Sequence, residues 1–143
     1  QILERDQHSY YIPRYPLGLD ATVSKYGGQI AQNMRFRNDT KNDLLIRGLS
    51  GRGWVRFEIY SLPTGRTVSF SSPSVSNVRK AIDTTVTTTP LKKGQSERTE
   101  SPANGMDVVV VRTVKDSSGR LIHSDRLVSH YIRVNGVVRI GAG

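Results

Sequence analysis

The sequence predicts an all-β protein: two small antiparallel β modules joined by a Ser/Thr/Pro-rich connector. Three observations carry this. No stretch sustains apolar residues at i, i+3, i+4 and i+7, the spacing of a helix with one buried face. Alternation with a period of two recurs instead. The alternating runs are rich in Val, Ile, Thr, Phe and Tyr, and are punctuated by Gly, Pro, Asn and Asp.

In chain order, Asn33 to Asn38 sets Met34 and Phe36 on one side and Arg35 and Arg37 on the other. Leu44, Leu45 and Ile46 form a short apolar run. Ser50-Gly51-Arg52-Gly53 reads as a turn. Val55, Phe57 and Ile59 then alternate with Trp54, Arg56, Glu58 and Tyr60. That pattern predicts a hairpin with one buried face. Pro63-Thr64-Gly65 is a further turn, leading into a strand over Arg66 to Phe70.

The texture then changes. Ser71 to Asn77 is rich in Ser and Pro, and Val75 to Ile82 is the only helix-like stretch, short and weak. Thr84 to Pro90 is β-branched and suits an extended connector strand. Lys92 to Gly105 is polar and reads as a long loop. Asp107 to Val114 is apolar on both sides at its centre, so it predicts the most buried strand. Asp116-Ser117-Ser118-Gly119 is a hairpin turn, and Leu121 to Val134 gives one long strand or two short ones. Asn135-Gly136 is the strongest hairpin signal, because a type I′ turn needs positive φ at both central residues. Val137 to Ile140 is the closing strand. The expected division is a β domain over 1–75, a connector over 76–106 and a β module over 107–143, whose first strand could lie at 84–90.

The chain has 143 residues, 21 Lys+Arg, 12 Asp+Glu and a formal net charge of +9. It is long enough to bury a core without disulfides or a structural metal. With no cysteine, it contains no thiol nucleophile, disulfide or Cys-ligated metal. The longest apolar run is Val108 to Val111, far short of a membrane helix of about 20 residues. The chain starts at Gln1 without an initiator Met, which suggests a processed product or a piece of something longer.

The charge is spread evenly. Residues 1–72 carry 10 basic and 6 acidic side chains, and residues 73–143 carry 11 and 6. No block of like charge forms a basic arm. Many arginines fall at alternate strand positions, which suits either solvated sheet faces or a broad surface for an anionic polymer. Nucleic acid is disfavoured as a partner, because charge alone supports it and no recognition helix is available.

No nucleophile elbow, phosphate-binding loop or metal-hydrolase spacing occurs, so no cofactor and no metal site are expected. His123 and His130 lie seven residues apart, on opposite faces of one regular strand. Tyr10, Tyr11, Tyr15 and Tyr26 are interleaved with Arg14 and other basic or proline residues. With Arg35, Arg37 and Trp54 they are the candidate ligand-binding side chains, since aromatic faces beside Arg stack on sugars or bases. The alternative is that the tyrosines pack at strand ends.

Four stretches then carry a resemblance. They are Glu4-Arg5-Asp6-Gln7-His8-Ser9, Gly18-Leu19-Asp20-Ala21-Thr22-Val23, Met34 to Thr40, and Leu44-Leu45-Ile46. In that order and spacing they resemble the C-terminal part of the VanW family, with its patterns E-R-x-x-H-S, G-x-D-A-T-V and F-x-N-x-T. The resemblance covers roughly residues 1–60. Residues 84–143 are similar to the G5 module, through Val108 to Val114, Gly119, Ser129-His130-Tyr131 and Gly141. Together these imply an extracellular or cell-envelope bacterial protein, exported or anchored through parts not in this chain. The G5 resemblance implies binding of amino-sugar polymers.

The family's Gly-rich stretch running into Cys-Gln-x-Ser-Thr-Thr lies upstream of the E-R-x-x-H-S element, and this chain starts after it. If that cysteine is a nucleophile, the resemblance implies that His8 and Asp20 complete a Cys-His-Asp set. The alternative is that both residues cap local turns. The favoured expectation is therefore a non-catalytic envelope module binding or positioned on peptidoglycan, amino-sugar polymer or anionic polysaccharide. Its second partner would be the N-terminal segment of the same protein. One rival is a fragment of a Cys-dependent cell-wall enzyme. The other is a structural subunit assembling as an oligomer through edge strands into a layer or fibre.

Overall fold

The computed structural model describes residues 1–142, and they contain strands and no helix. Thirteen strands form five sheets. β1 (Ile2–Arg5) pairs antiparallel with β4 (Met34–Phe36), and β2 (Ser24–Tyr26) pairs with β3 (Gln29–Gln32). β5 (Leu45–Gly51) and β6 (Trp54–Tyr60) make a separate hairpin. The largest sheet is centred on β11 (Gly105–Lys115). Along one edge β11 carries β12 (Leu121–Tyr131); along the other it carries β7 (Thr67–Phe70) and then β8 (Ser74–Arg79), end to end. Ser71 bridges β7 and β8: its amide donates to the Val111 carbonyl at 2.9 Å, and its hydroxyl accepts from the Val111 amide at 3.0 Å. β13 (Gly136–Gly141) lies between β10 (Ser96–Glu100) and β9 (Asp83–Thr88), antiparallel to the first and parallel to the second.

The core sits on β11 and β12. Val108, Val110, Val114 and Tyr131 are buried, as the valine run predicts. Tyr11, Leu17, Leu19 and Met106 pack against Val108, Val110 and Tyr131. The loop between β1 and β2 thus lies on the C-terminal hairpin, and residues from both ends of the chain share one core. Gly18 makes the approach possible. Its φ is +77°, and a Cβ there would lie 2.8 Å from Val108 Cγ1.

The predicted turns at Arg52-Gly53 and Asp116–Gly119 are present, each with glycine at positive φ, whereas Pro63-Thr64-Gly65 runs into β7 without forming a turn, although Gly65 also has positive φ. Other expectations are corrected. The hairpin β5–β6 has no buried face. Val55, Phe57 and Ile59 are 67%, 71% and 55% exposed, because among the described residues no third strand or second layer covers the pair. Asn135-Gly136 is not a hairpin turn, since neither residue has positive φ and β13 leaves β12 to join β10 and β9. Asn135 Oδ1 instead accepts the Ile82 amide at 3.3 Å. Gly136 is glycine because a Cβ would land on the Asp83 carboxylate and Arg98. The helix-like Val75 to Ile82 is mostly β8, and the loop-like 92–105 contains β10.

The accessible surface is 10481 Å². A compact protein of 15.9 kDa would expose about 7,400 Å². Much of the strand surface is therefore uncovered in the isolated chain.

Candidate functional site

Asp20 is the organising residue. It is 4% exposed at the end of the loop that packs on the core. Its Oδ2 accepts the His8 amide at 2.8 Å and the His8 Nδ1–H, also at 2.8 Å. Its Oδ1 accepts the Tyr131 hydroxyl, and Arg5 Nη2 stands 3.5 Å away. Arg5 is itself fixed, donating to the Asp20 carbonyl at 2.7 Å, the Gly18 carbonyl at 3.0 Å and Ser129 Oγ at 3.0 Å. Arg5 ends β1 and His8 follows three residues later, while Ser129 and Tyr131 close β12. Alternation along β12 points both of the latter to one face.

Burial works against the Asp20 carboxylate, but the Tyr131 hydroxyl, the two His8 donors and Arg5 outweigh it. They hold its pKa below the ordinary carboxylate value. The Tyr131 phenol is pushed up, by burial first and by the Asp20 charge. An ionised Asp20 keeps the proton of His8 on Nδ1, leaving Nε2 as the acceptor nitrogen. Among the described residues Nε2 has no hydrogen-bond partner, and the His8 side chain is 22% exposed. Tyr15 stacks on the imidazole, with ring centroids 5.1 Å apart and planes 20° from parallel. The Tyr15 carbonyl accepts the Tyr11 hydroxyl at 3.1 Å, and the Tyr11 ring tilts against Tyr131 at 5.6 Å. The arrangement can hold one imidazole rigidly, in one tautomer, with one face covered. Such a group accepts a proton or binds a ligand hydroxyl.

Tyr10 lies nearby and lines a cavity of about 390 Å³ with Thr99, Glu100, Ser101 and Val134. An aromatic face, two hydroxyls and a carboxylate suit an amino sugar, which presents an apolar ring face, hydroxyls and a nitrogen substituent.

The structure therefore brings His8, Asp20, Tyr11 and Tyr15 together and sets Tyr10 beside the β10 end. It does not gather the other candidates. Arg14 is exposed on the loop before Tyr15. Tyr26 projects from β2 and is 86% exposed. Arg35 on β4 pairs with Glu4 at 3.3 Å. Arg37 is exposed, and its backbone holds the chain start through the Gln1 carbonyl. Trp54 stands on the distant β5–β6 hairpin, over Gly51. Arg5, Ser129 and Tyr131 join the site without being among the candidate residues that the sequence offers. Arg5 is the arginine of the E-R-x-x-H-S pattern, which was the signal for it. Tyr131 comes from 111 residues beyond Asp20, and its place in the Ser129-His130-Tyr131 stretch does not link it to that residue.

The other histidines also pair with aspartates. His123 Nε2 meets Asp39 Oδ2 at 2.5 Å, and His130 Nδ1 meets Asp107 Oδ1. Asp39 also accepts Arg66 at 2.7 Å and lies 3.5 Å from the terminal amine. His123 and then Arg66 hold its pKa far below the carboxylate range. Among the described residues no group of three or more His, Cys, Asp or Glu could hold a metal.

Residues 1–60 match the model of a family described as VanW like protein. That part of the chain is VanW-like, as its motifs imply. No curated protein matches the chain. Among solved structures, the chain is similar to one described as an IgA1 protease G5 domain structure. The identity is 11% and the TM-score 0.33, over 54% of this chain and 92% of that one.

Proposed function

We propose that the chain is an extracellular cell-envelope module that binds an amino-sugar wall polymer at the Tyr10 cavity. The observation that carries this is the cavity lining: Tyr10 for a sugar face, Thr99 and Ser101 for hydroxyls, Glu100 for a nitrogen substituent. The VanW-like segment and the G5-like pattern of the C-terminal strands support an envelope setting. The evenly spread net charge of +9 adds attraction to anionic groups of the polymer. Purified chain mixed with insoluble peptidoglycan should sediment with it, and Tyr10→Ala and Glu100→Gln should each reduce the bound fraction several-fold. Added salt should weaken retention, because exposed charges are screened within about 8 Å at physiological ionic strength. Failure of the wild type to sediment, or equal retention of both variants, would contradict the reading.

The Asp20–His8 pair favours a second reading, in which this chain supplies base and orienting carboxylate to a cysteine on an upstream segment. His8 Nε2 would take the thiol proton, and Asp20 would stabilise the imidazolium. A longer form containing that segment should cleave or transfer wall fragments, and His8→Asn should abolish the reaction while leaving polymer binding intact. Unchanged turnover in His8→Asn would refute it.

A further inference from the structure

A slot of about 500 Å³ runs between β1 and β12, with Ile2 to Arg5 on one wall and Ser124 to Val128 on the other. We propose that this slot receives an extended polypeptide strand, which adds to the outer edge of β12.

The two walls are strand edges running parallel. Arg5 Nη1 donates to the Val128 carbonyl at 3.5 Å, and Gln7 Nε2 to the His130 carbonyl at 3.4 Å. The Ile132 amide donates to the Ser9 carbonyl at 2.8 Å. The residue numbers advance together. At Ser9 and Ile132 the chains touch through a backbone bond. At Arg5 a long side chain spans them, and before that they part. The far end is closed by Asp39, which reaches both His123 and the terminal amine. The opening is thus clasped at both ends.

The backbone groups facing this slot follow from the same contacts. In an antiparallel strand, residues two apart turn their N–H and C=O to the same edge. Val128, His130 and Ile132 turn theirs away from β11 and toward the N-terminal segment. Ser124 and Arg126 share that parity, so their amides and carbonyls face the slot. Among the described residues β12 has no ladder partner other than β11. On the opposite wall, Gln1 and Arg37 exchange two backbone bonds, at 2.9 and 2.8 Å. The backbone of Ile2 therefore turns the other way, toward the slot.

A polypeptide fits these walls better than a sugar does. The slot offers backbone donors and acceptors repeating every two residues, about 7 Å apart, which is the spacing of a strand. Its lining contains no Tyr, Trp or Phe on which a sugar ring could stack. Ser124 to Val128 gives room for about four or five extended residues at roughly 3.4 Å each.

The test is a panning of linear random 12-residue peptides displayed on phage against the whole chain, with counter-selection on Arg126→Pro. That substitution deletes the slot-facing N–H and leaves the bonds of the odd-numbered β12 residues to β11 in place. A recovered peptide, made synthetically, should shift the amide resonances of Ser124, Arg126 and Val128. N-methylation should weaken it about tenfold at alternate positions and little at those between. Arg126→Ala, which keeps the N–H, should bind within about twofold of wild type. Should Arg126→Pro fail to fold, the N-methyl pattern on the wild type decides alone. The proposal is overturned if no peptide is recovered, if N-methylation acts without alternation, or if the shifts fall elsewhere. It is also overturned if a chitin oligosaccharide moves the same three amides, which would make the slot a sugar site.

Discussion

Tyr131→Phe removes one hydroxyl from the centre of the Asp20 cluster and nothing else. The ring stays packed on Val108 and Val110, so no cavity forms. The lost bond is to an ionised carboxylate, a class worth about 1.5–3 kcal/mol. Asp20 keeps three other donor groups, the His8 amide, the His8 imidazole and Arg5, which places the cost near the lower end, about 2 kcal/mol. At about 2.1 cal/mol/K per residue, the unfolding entropy of a chain this size is about 0.3 kcal/mol/K, so the melting temperature should fall by about 7 °C. The pH dependence identifies the cause. Asp20 is depressed in the folded state, so its stabilisation is fully present above the unfolded carboxylate pKa of about 3.9. It is lost as pH falls through the folded value. The variant moves that folded value back up, so its deficit should be full at pH 7 and should shrink in acid. Calorimetry of both proteins between pH 3 and pH 7 measures this. A shift under about 2 °C at pH 7, or a deficit that does not shrink in acid, would refute the role given to Asp20.

Other changes test other parts of the structure. Asp39→Asn should destabilise by about 1–2 kcal/mol in urea unfolding at pH 7, because it weakens the bonds of His123 and Arg66. As Asp39 is depressed when folded, that penalty should also fade in acid. Gly136→Ala should cost about 1–3 kcal/mol by chemical denaturation, since the new Cβ collides with Asp83 and Arg98. Phe57→Ser on the exposed hairpin should change stability by no more than about 0.5 kcal/mol, whereas Val110→Ala in the core should cost about 2 kcal/mol. Equal effects at those two positions would mean the hairpin is covered after all.

The parts of the fold visible in the sequence are those fixed by local chemistry. Four consecutive valines mark β11, and Asp116 to Gly119 marks its turn into β12. There Asp116 Oδ1 accepts the Ser118 and Arg120 amides, both at 3.0 Å. What misled was local chemistry overruled from a distance. Asn135-Gly136 has ideal turn composition, yet β13 finds its partners in β10 and β9, and the glycine serves close packing. Period-two alternation in β6 correctly separates an apolar from a polar face, but no pattern within a strand says whether another layer covers it. β10, Ser-Glu-Arg-Thr-Glu, has no apolar face to betray it, and its strand form comes from pairing with β13. Half of the Asp20 site was legible through motif positions. The other half arrives from β12, which no local pattern links to Asp20.

The sugar site at Tyr10 is open to a resonance titration of the whole chain with a soluble chitin oligosaccharide. The amides of Tyr10, Thr99 and Ser101 should shift together with one saturation curve, and Tyr10→Ala should abolish that curve while its spectrum elsewhere stays native. Saturable shifts confined to other surfaces, or no shifts at millimolar sugar, would contradict it.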